Sequence, residues 1–249
     1  MISLGIRLVV LVLLVAFLVT PQSFAPLFVP LTQNGAPPIY NQGRLIDIAL
    51  SHLGIVAVTT LASTIVAVSL AIFVSRPAGA EFLPLSRSIA NVGQTFPPIA
   101  VLALAVPILG FGAKPTLVAL FLYGLLPIFE NALVGLTTLP PVVIDAADGM
   151  GMTPLQKLWR VELPLALPVI LSGIRLSAVI SMGTATIGST VAATTLGEVI
   201  IAGLTSSNFA FVLQGGMIVA VLAVLVSDAF GVLERWASKR AGQQRPASA

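Results

Sequence analysis

The densest group of ionisable side chains lies between Thr137 and Pro164, where Asp145, Asp148, Lys157, Arg160 and Glu162 fall within about 28 residues. Their spacing does not suit covalent or acid–base catalysis. The chain has no P-loop pattern, so any ATP used alongside it would have to be hydrolysed by another chain. No Ser-His pair or paired carboxylates stand at a recognisable boundary. With no cysteine and a single histidine, His52, the chain offers neither a thiolate metal site nor a multi-histidine one, and no disulfide framework. His52 reads as a polar residue near the start of a helix. Metal and cofactor binding by this chain are not expected.

The local construction of the 137–164 segment is more informative than its charges. Pro141 can open a short helix that continues through Asp145, Ala146 and Ala147, and Gly149 and Gly151 offer a stop. Thr153-Pro154 then supplies an N-cap followed by proline at the first helical position. Two short helices joined by a glycine-rich turn are predicted. In the second, Leu155, Leu158 and Trp159 share an apolar face, with Lys157 and Arg160 at polar positions. A plain connection needs only a few residues. The segment is therefore expected to be a docking surface for a partner on one side of a membrane, the alternative being an interfacial helix resting on lipid headgroups.

A second set of polar residues sits inside apolar stretches. Asn91, Gln94 and Thr95, followed by Pro97-Pro98, either tie a helix into a bundle or line a translocation pathway, and Glu130-Asn131 carries the same pair of readings. Gly173, Ser177, Ser181 and Ala185 recur four apart and form a close-packing stripe, within one subunit or between two. Tyr123 and the phenylalanines are too scattered for an aromatic cage around a quaternary ammonium.

The elements that must position these residues are membrane helices. The chain is 57% hydrophobic and 8% charged, too few charges to cover a water-soluble surface. Six apolar segments are predicted, at residues 2–19, 53–74, 88–113, 116–136, 165–192 and 209–227, giving an all-α polytopic membrane protein. Arg175 would lie near the start of the fifth and snorkel to the headgroups. The organisation is an N-terminal helix within 1–30, a transmembrane domain over 45–235 and a basic tail at 236–249. Leu8–Val19 also has the look of a signal-peptide core before Ser23-Phe24-Ala25, which leaves cleavage of the first helix open. Pro26–Gly43, including Asn34, reads as an extracytoplasmic loop.

Six spans with a cytoplasmic N-terminus place Arg7, Arg76, Arg87, Lys157, Arg160, Arg175, Arg235, Lys239, Arg240 and Arg245 inside and only Arg44 and Lys114 outside. That bias puts the 137–164 loop and the C-terminus in the cytoplasm. The basic residues form no stripe for nucleic acid.

Asp145-Ala146-Ala147, three residues, Gly151, nine residues and Val161-Glu162-Leu163-Pro164 resemble the EAA loop of binding-protein-dependent ABC transporter permeases. The pattern there is Glu-Ala-Ala, three residues, Gly, nine residues, Ile-x-Leu-Pro. Asp145 and Val161 depart from it but keep charge and β-branching. Ala90 to Pro98, Gly110 to Pro115, Leu120 to Ile128, Gly149 to Thr153, Val161 to Arg175 and Gly183 to Ile187 are similar to permeases of glycine betaine, choline, carnitine and proline uptake systems, across roughly residues 45–235. Where that family commonly has Gly-Ala-Gly-Gly-Leu-Gly, this chain has Val191-Ala192-Ala193-Thr194-Thr195-Leu196-Gly197.

The resemblance implies a type I ABC importer permease (MetI-like) fold in a bacterial inner membrane, with both termini cytoplasmic. It implies a second permease, identical or paralogous, and cytoplasmic ABC ATPases seated on the EAA loops and holding the ATP and magnesium. An extracytoplasmic binding protein would deliver the osmolyte. An importer subunit for another small solute, a proton- or sodium-coupled carrier and a membrane scaffold are the other readings.

Overall fold

The computed structural model describes residues 4–33 and 35–242. The tail beyond 242, with Arg245, and Asn34 lie outside the described residues. Every regular element among the described residues is helical. Four helices are long and apolar enough to cross a membrane, or six spans if each of two broken pairs is counted as one.

Helix α1, Leu4–Val19, is 16 residues long. At about 1.5 Å per residue it falls short of the roughly 30 Å hydrocarbon core. Thr20 leaves the helical conformation ahead of Pro21 (φ −125°, ψ 58°), and the chain bends by 109° into the helical turns Pro21–Leu31. Phe17 fixes the bend, with its ring 5.3 Å from Phe24 edge-on and 5.6 Å from Phe28 in a stack. The expected simple N-terminal span is therefore a helix and a folded-back segment.

Helix α2, Leu45–Val74, begins eight residues earlier than its uncharged stretch suggests and takes in Asp47 and His52. The apolar stretch 88–113 is not one continuous helix but two, α3 (Leu83–Thr95) and α4 (Pro98–Leu109), which meet at a 93° bend. Pro98 forces the residue before it out of the helical region, and Pro97 sits at ψ 133°. Helix α5 runs Ala113–Thr137 and the short α6 runs Pro141–Gly149. Helix α7 is continuous from Pro154 to Val191, so the fifth span starts inside the polar segment and not near Leu165. Helix α8, Gly197–Thr205, precedes α9, Phe209–Arg240. Arg235, Lys239 and Arg240 therefore lie on the last turns of a helix and not in a tail.

The chain forms two compact units. The first comprises Met1–Thr59, Phe96–Leu120 and Ala178–Val226, so far as these are described. Its core includes Phe17, Phe28, Ile39, Leu45, Met182, Leu196 and Ile218. Two side-chain amides, Gln214 of α9 and Asn208 just before it, hold the loop after α1 in this core. Gln214 Nε2 donates to the Pro38 carbonyl (2.7 Å) while its Oε1 accepts from the Tyr40 N–H (3.1 Å), and Asn208 Nδ2 donates to the Pro37 carbonyl (2.9 Å). The second unit comprises Thr60–Thr95, Phe121–Ser177 and the described residues from Ser227 onward. Its core is built on Ala67, Ala71, Ile128, Phe129, Ala132, Ala166 and Ile170, where alanines let helix backbones approach closely. Outward faces are apolar as well: Ile108 is 82% exposed and Leu104 68%. Such faces suit lipid.

Candidate functional site

The loop between α5 and α7 is built by local rules. Pro141 takes the first position of α6, and the helix ends as the Met150 N–H reaches the Ala146 carbonyl (3.0 Å) and the Met152 N–H reaches that of Ala147 (3.2 Å). Gly151 turns the chain at φ +71°, the left-handed region where glycine escapes the Cβ penalty. Thr153 and Gln156 then form a capping box, with the Thr153 N–H donating to Gln156 Oε1 (3.0 Å) and the Gln156 N–H to Thr153 Oγ1 (3.3 Å), and Pro154 begins α7. Lys157 Nζ closes the turn on Asp148, at 2.7 and 3.0 Å from its two carboxylate oxygens.

The structure separates the motif residues by exposure. Asp145 and Ala146 face outward and Ala147 is fully buried. Leu155 and Trp159 are each 64% exposed, whereas Leu158 is half-buried against the core of the second unit. Residues 158–162 form a π turn in which the Leu163 N–H bonds the Leu158 carbonyl, five residues back. The π turn delivers the chain to Pro164, which has no N–H, without a break. Pro164 is therefore inside a continuous helix, not at its entrance, and the second helix of the loop is the start of α7. Val161 and Leu163 are half-buried and Pro164 is exposed.

The same π turn carries Glu162 inward. Glu162 is 5% exposed and is held in bidentate fashion by Arg76, just beyond the end of α2, with Nη1 donating to Oε1 at 3.1 Å and Nη2 to Oε2. Reading the sequence did not find this pair. The available signal was a charge embedded among the apolar residues of Val-Glu-Leu-Pro.

Other charges of the second unit are paired too. Arg87 Nε and Nη2 donate to the Glu130 carboxylate at 2.9 and 3.2 Å. Arg175, expected to snorkel to the headgroups, instead donates to Ser227 Oγ (2.9 Å) and Glu234 Oε2 (3.4 Å) on α9. The early start of α7 moves it well away from the helix entrance. Gln94 Nε2 donates to the Tyr123 carbonyl (3.0 Å), the acceptor left without its helical donor because Pro127, four residues on, has no N–H. Asn131 Nδ2 donates to the Pro127 carbonyl (2.8 Å), and Asn91 and Thr95 are exposed.

The small-residue stripe is buried within the chain. Gly173 lies so close to α5 that an added Cβ would stand 2.6 Å from the Asn131 Cβ. Ser177 is 1% exposed beside Gly124 and Ser63 in the second unit. In the first unit Ser181 and Ala185 are 2% and 0% exposed.

His52, also in the first unit, is fully buried. Its Nδ1 accepts from the Leu196 N–H (3.3 Å), which leaves Nε2 to donate to the Met182 carbonyl (3.1 Å). It is a structural cross-link from α2 to α7 and to the turn before α8, about two turns inside α2 and not at its start.

Among relatives, an osmoprotectant import permease protein, OsmY, of Salmonella typhimurium is 41% identical over 185 residues, 74% of this chain and 78% of that protein. A choline transport system permease protein, OpuBB, of Bacillus subtilis is 35% identical over 206 residues, 82% and 93% respectively. Among solved structures, an inward-facing MetNI methionine ABC transporter chain superposes with a TM-score of 0.68 at 22% identity, covering 76% of this chain and 93% of that one. A chain of an amino acid ABC transporter gives 0.64 at 17% identity, covering 88% and 98%. These likenesses fix the fold as that of an ABC importer permease, a multi-pass inner-membrane protein. Residues 67–239, which include the whole capped loop and its arginine-held glutamate, match the profile of binding-protein-dependent transport system inner membrane components, and the chain belongs to that family.

Proposed function

We propose that this chain is the membrane-spanning subunit of an ATP-driven importer of small osmolytes of the glycine betaine, choline and carnitine type. ATP hydrolysis belongs to separate cytoplasmic ATPase subunits, and an extracytoplasmic binding protein supplies the solute to a pair of permeases. The observation that carries this reading is the 141–164 loop. A rigid, capped turn holds Leu155 and Trp159 outward while Leu158 and Glu162 anchor the same helix to the core. Exposed apolar side chains on a stiff support suit a protein groove, and their backing transmits force to the spans. The substrate class is supported by relatives named for osmoprotectant and choline transport.

Both termini and the 141–164 loop lie in the cytoplasm in this reading, as the distribution of basic residues favours. Single cysteines at Met150 and Gln33, both exposed, test it in sealed cells with an impermeant thiol reagent. Position 33 labels and position 150 does not; labelling at 150 from outside overturns the orientation. The function itself is tested by co-purification of an ATPase with the chain and by ATP-dependent uptake of labelled choline and glycine betaine by the complete transporter. Uptake that persists without any ATPase and collapses with an ion gradient contradicts the importer reading.

A further inference from the structure

The first unit holds a cavity of about 290 Å³ lined by Tyr40, Gln42, Ser189, Glu198, Ile201, Ala202 and Thr205. Its volume is at the lower end of small-molecule sites. The carboxylate on its wall is unlike most others in the chain. Glu130, Glu162, Glu234 and Asp148 each have a lysine or arginine partner. Glu198 is half-buried, no described lysine or arginine pairs with it, and no basic residue lines the cavity. Burial raises its carboxyl above the ordinary range, with hydrogen bonds from Thr194 and Thr195 opposing the shift. A partly desolvated carboxylate without a counter-charge is disfavoured in its ionised form, and a bound cation would offset that.

The walls are fixed beforehand. Tyr40 is 5% exposed, its N–H bound to Gln214 and its ring 5.4 Å from that of Phe211. Burial first, and the Glu198 charge after it, raise the Tyr40 hydroxyl's pKa, so the two groups are within electrostatic reach of each other. Ser189 is held by Thr195 at 2.7 Å between hydroxyl oxygens. Glu198 on the first turn of α8 could serve only to complement the helix dipole, but an exposed carboxylate does that without a cavity or desolvation.

We propose that this cavity is a low-affinity subsite for a small organic cation, selecting a net-positive trimethylammonium alcohol over zwitterionic osmolytes. Glu198 supplies the counter-charge, and Tyr40, Ser189, Gln42 and Thr205 offer hydroxyl and amide groups for the alcohol. A zwitterion brings its own carboxylate beside Glu198, with no basic group in the wall to meet it. The inference rests on the osmolyte-importer reading and deepens it: a cation released by a binding protein on this side of the membrane meets a site that discriminates by net charge.

The test is equilibrium binding of labelled choline to the purified permease–ATPase complex in nanodiscs, without binding protein. Glycine betaine and 3,3-dimethylbutan-1-ol, the uncharged carbon isostere of choline, serve as competitors. The wild type is expected to bind choline in the millimolar range, at least about tenfold better than either competitor, and Glu198→Gln to lose about tenfold for choline alone. Glu81→Gln, an exposed carboxylate of the other unit, leaves binding unchanged. Equal binding of choline and its uncharged isostere by the wild type overturns the proposal, and does so even if Glu198→Gln fails to fold. So does an unchanged choline affinity in a folded Glu198→Gln complex. Absence of ATP-driven uptake by the complete system sinks the importer reading instead. Intact uptake with no charge preference at the permease sinks this inference alone.

Discussion

Replacing Arg76 with alanine strands the Glu162 carboxylate in the core of the second unit. Glu162 has 6% of its side chain exposed and Arg76 has 29%, so the pair is shielded on the carboxylate side and reachable by water on the guanidinium side. Removing one partner of a buried pair costs about 3–5 kcal/mol, because the other charge stays desolvated without compensation. Partial access of water to Arg76 brings the expected loss just below that range, to about 2–3 kcal/mol. Replacing both residues by apolar ones of similar size, Arg76→Met with Glu162→Leu, removes the stranded charge and should restore most of that stability. Reversible unfolding of the purified chain in mixed micelles, measured for wild type, Arg76→Met, Glu162→Leu and the double variant, gives the coupling energy directly, with Arg76→Ala measured alongside. A value below about 0.5 kcal/mol, or a double variant as unstable as Arg76→Ala, would refute the claim that this pair anchors the loop to α2.

The turn at Gly151 is the second point of sensitivity. An added Cβ there meets open space, so Gly151→Leu costs only backbone strain, about 1–2 kcal/mol, and should leave insertion intact while lowering ATPase co-purification or coupling. Gly151→Asn, which tolerates the left-handed region, should retain most coupling; equal behaviour of Leu, Asn and wild type argues against the turn. Leu155→Ser with Trp159→Ser should abolish ATPase association without changing chain stability, since both side chains are exposed, and normal co-purification counts against a protein partner. Choline binding at the cavity requires ionised Glu198, whose pKa is raised by burial. Affinity should therefore fall as pH is lowered, with a midpoint above that of an exposed glutamate, and a pH-independent affinity contradicts the assignment.

What could be read from the sequence was what local chemistry dictates. Pro141, Gly151 and Thr153-Pro154 define α6, the turn and the start of α7 because capping and left-handed turns depend on residues only a few positions apart. Apolar length identified the long spans. The reading failed where a helix continues through polar residues, as at Leu45–Leu53 and Pro154–Leu165, since charges inside a span are tolerated once a distant partner satisfies them. For Glu162 and His52 those partners are far along the chain, Arg76 at 86 residues and Met182 at 130, whereas exposed Asp47 pairs locally with Arg44. Pro97-Pro98 was noticed, yet hydropathy alone joined the two helices it separates. Gln94 had a local clue in Pro127, but only the packing of α3 on α5 shows that the freed Tyr123 carbonyl is its acceptor.

The bonds that shape the turn between α6 and α7 all close within a short stretch. Asp148 binds Lys157, Thr153 binds Gln156, and the N–H groups of Met150, Gly151 and Met152 bind carbonyls of Ala146, Asp148 and Ala147. None of these reaches outside Pro140–Lys157, and the long-range anchors, Leu158 and Glu162, come just after it. The segment is thus a cassette. Exchanged as one piece together with the Leu158-Trp159 that follows it, between permeases that keep the arginine at the end of α2, it should carry its choice of ATPase with it, leaving the solute handled by the host's own helices unchanged.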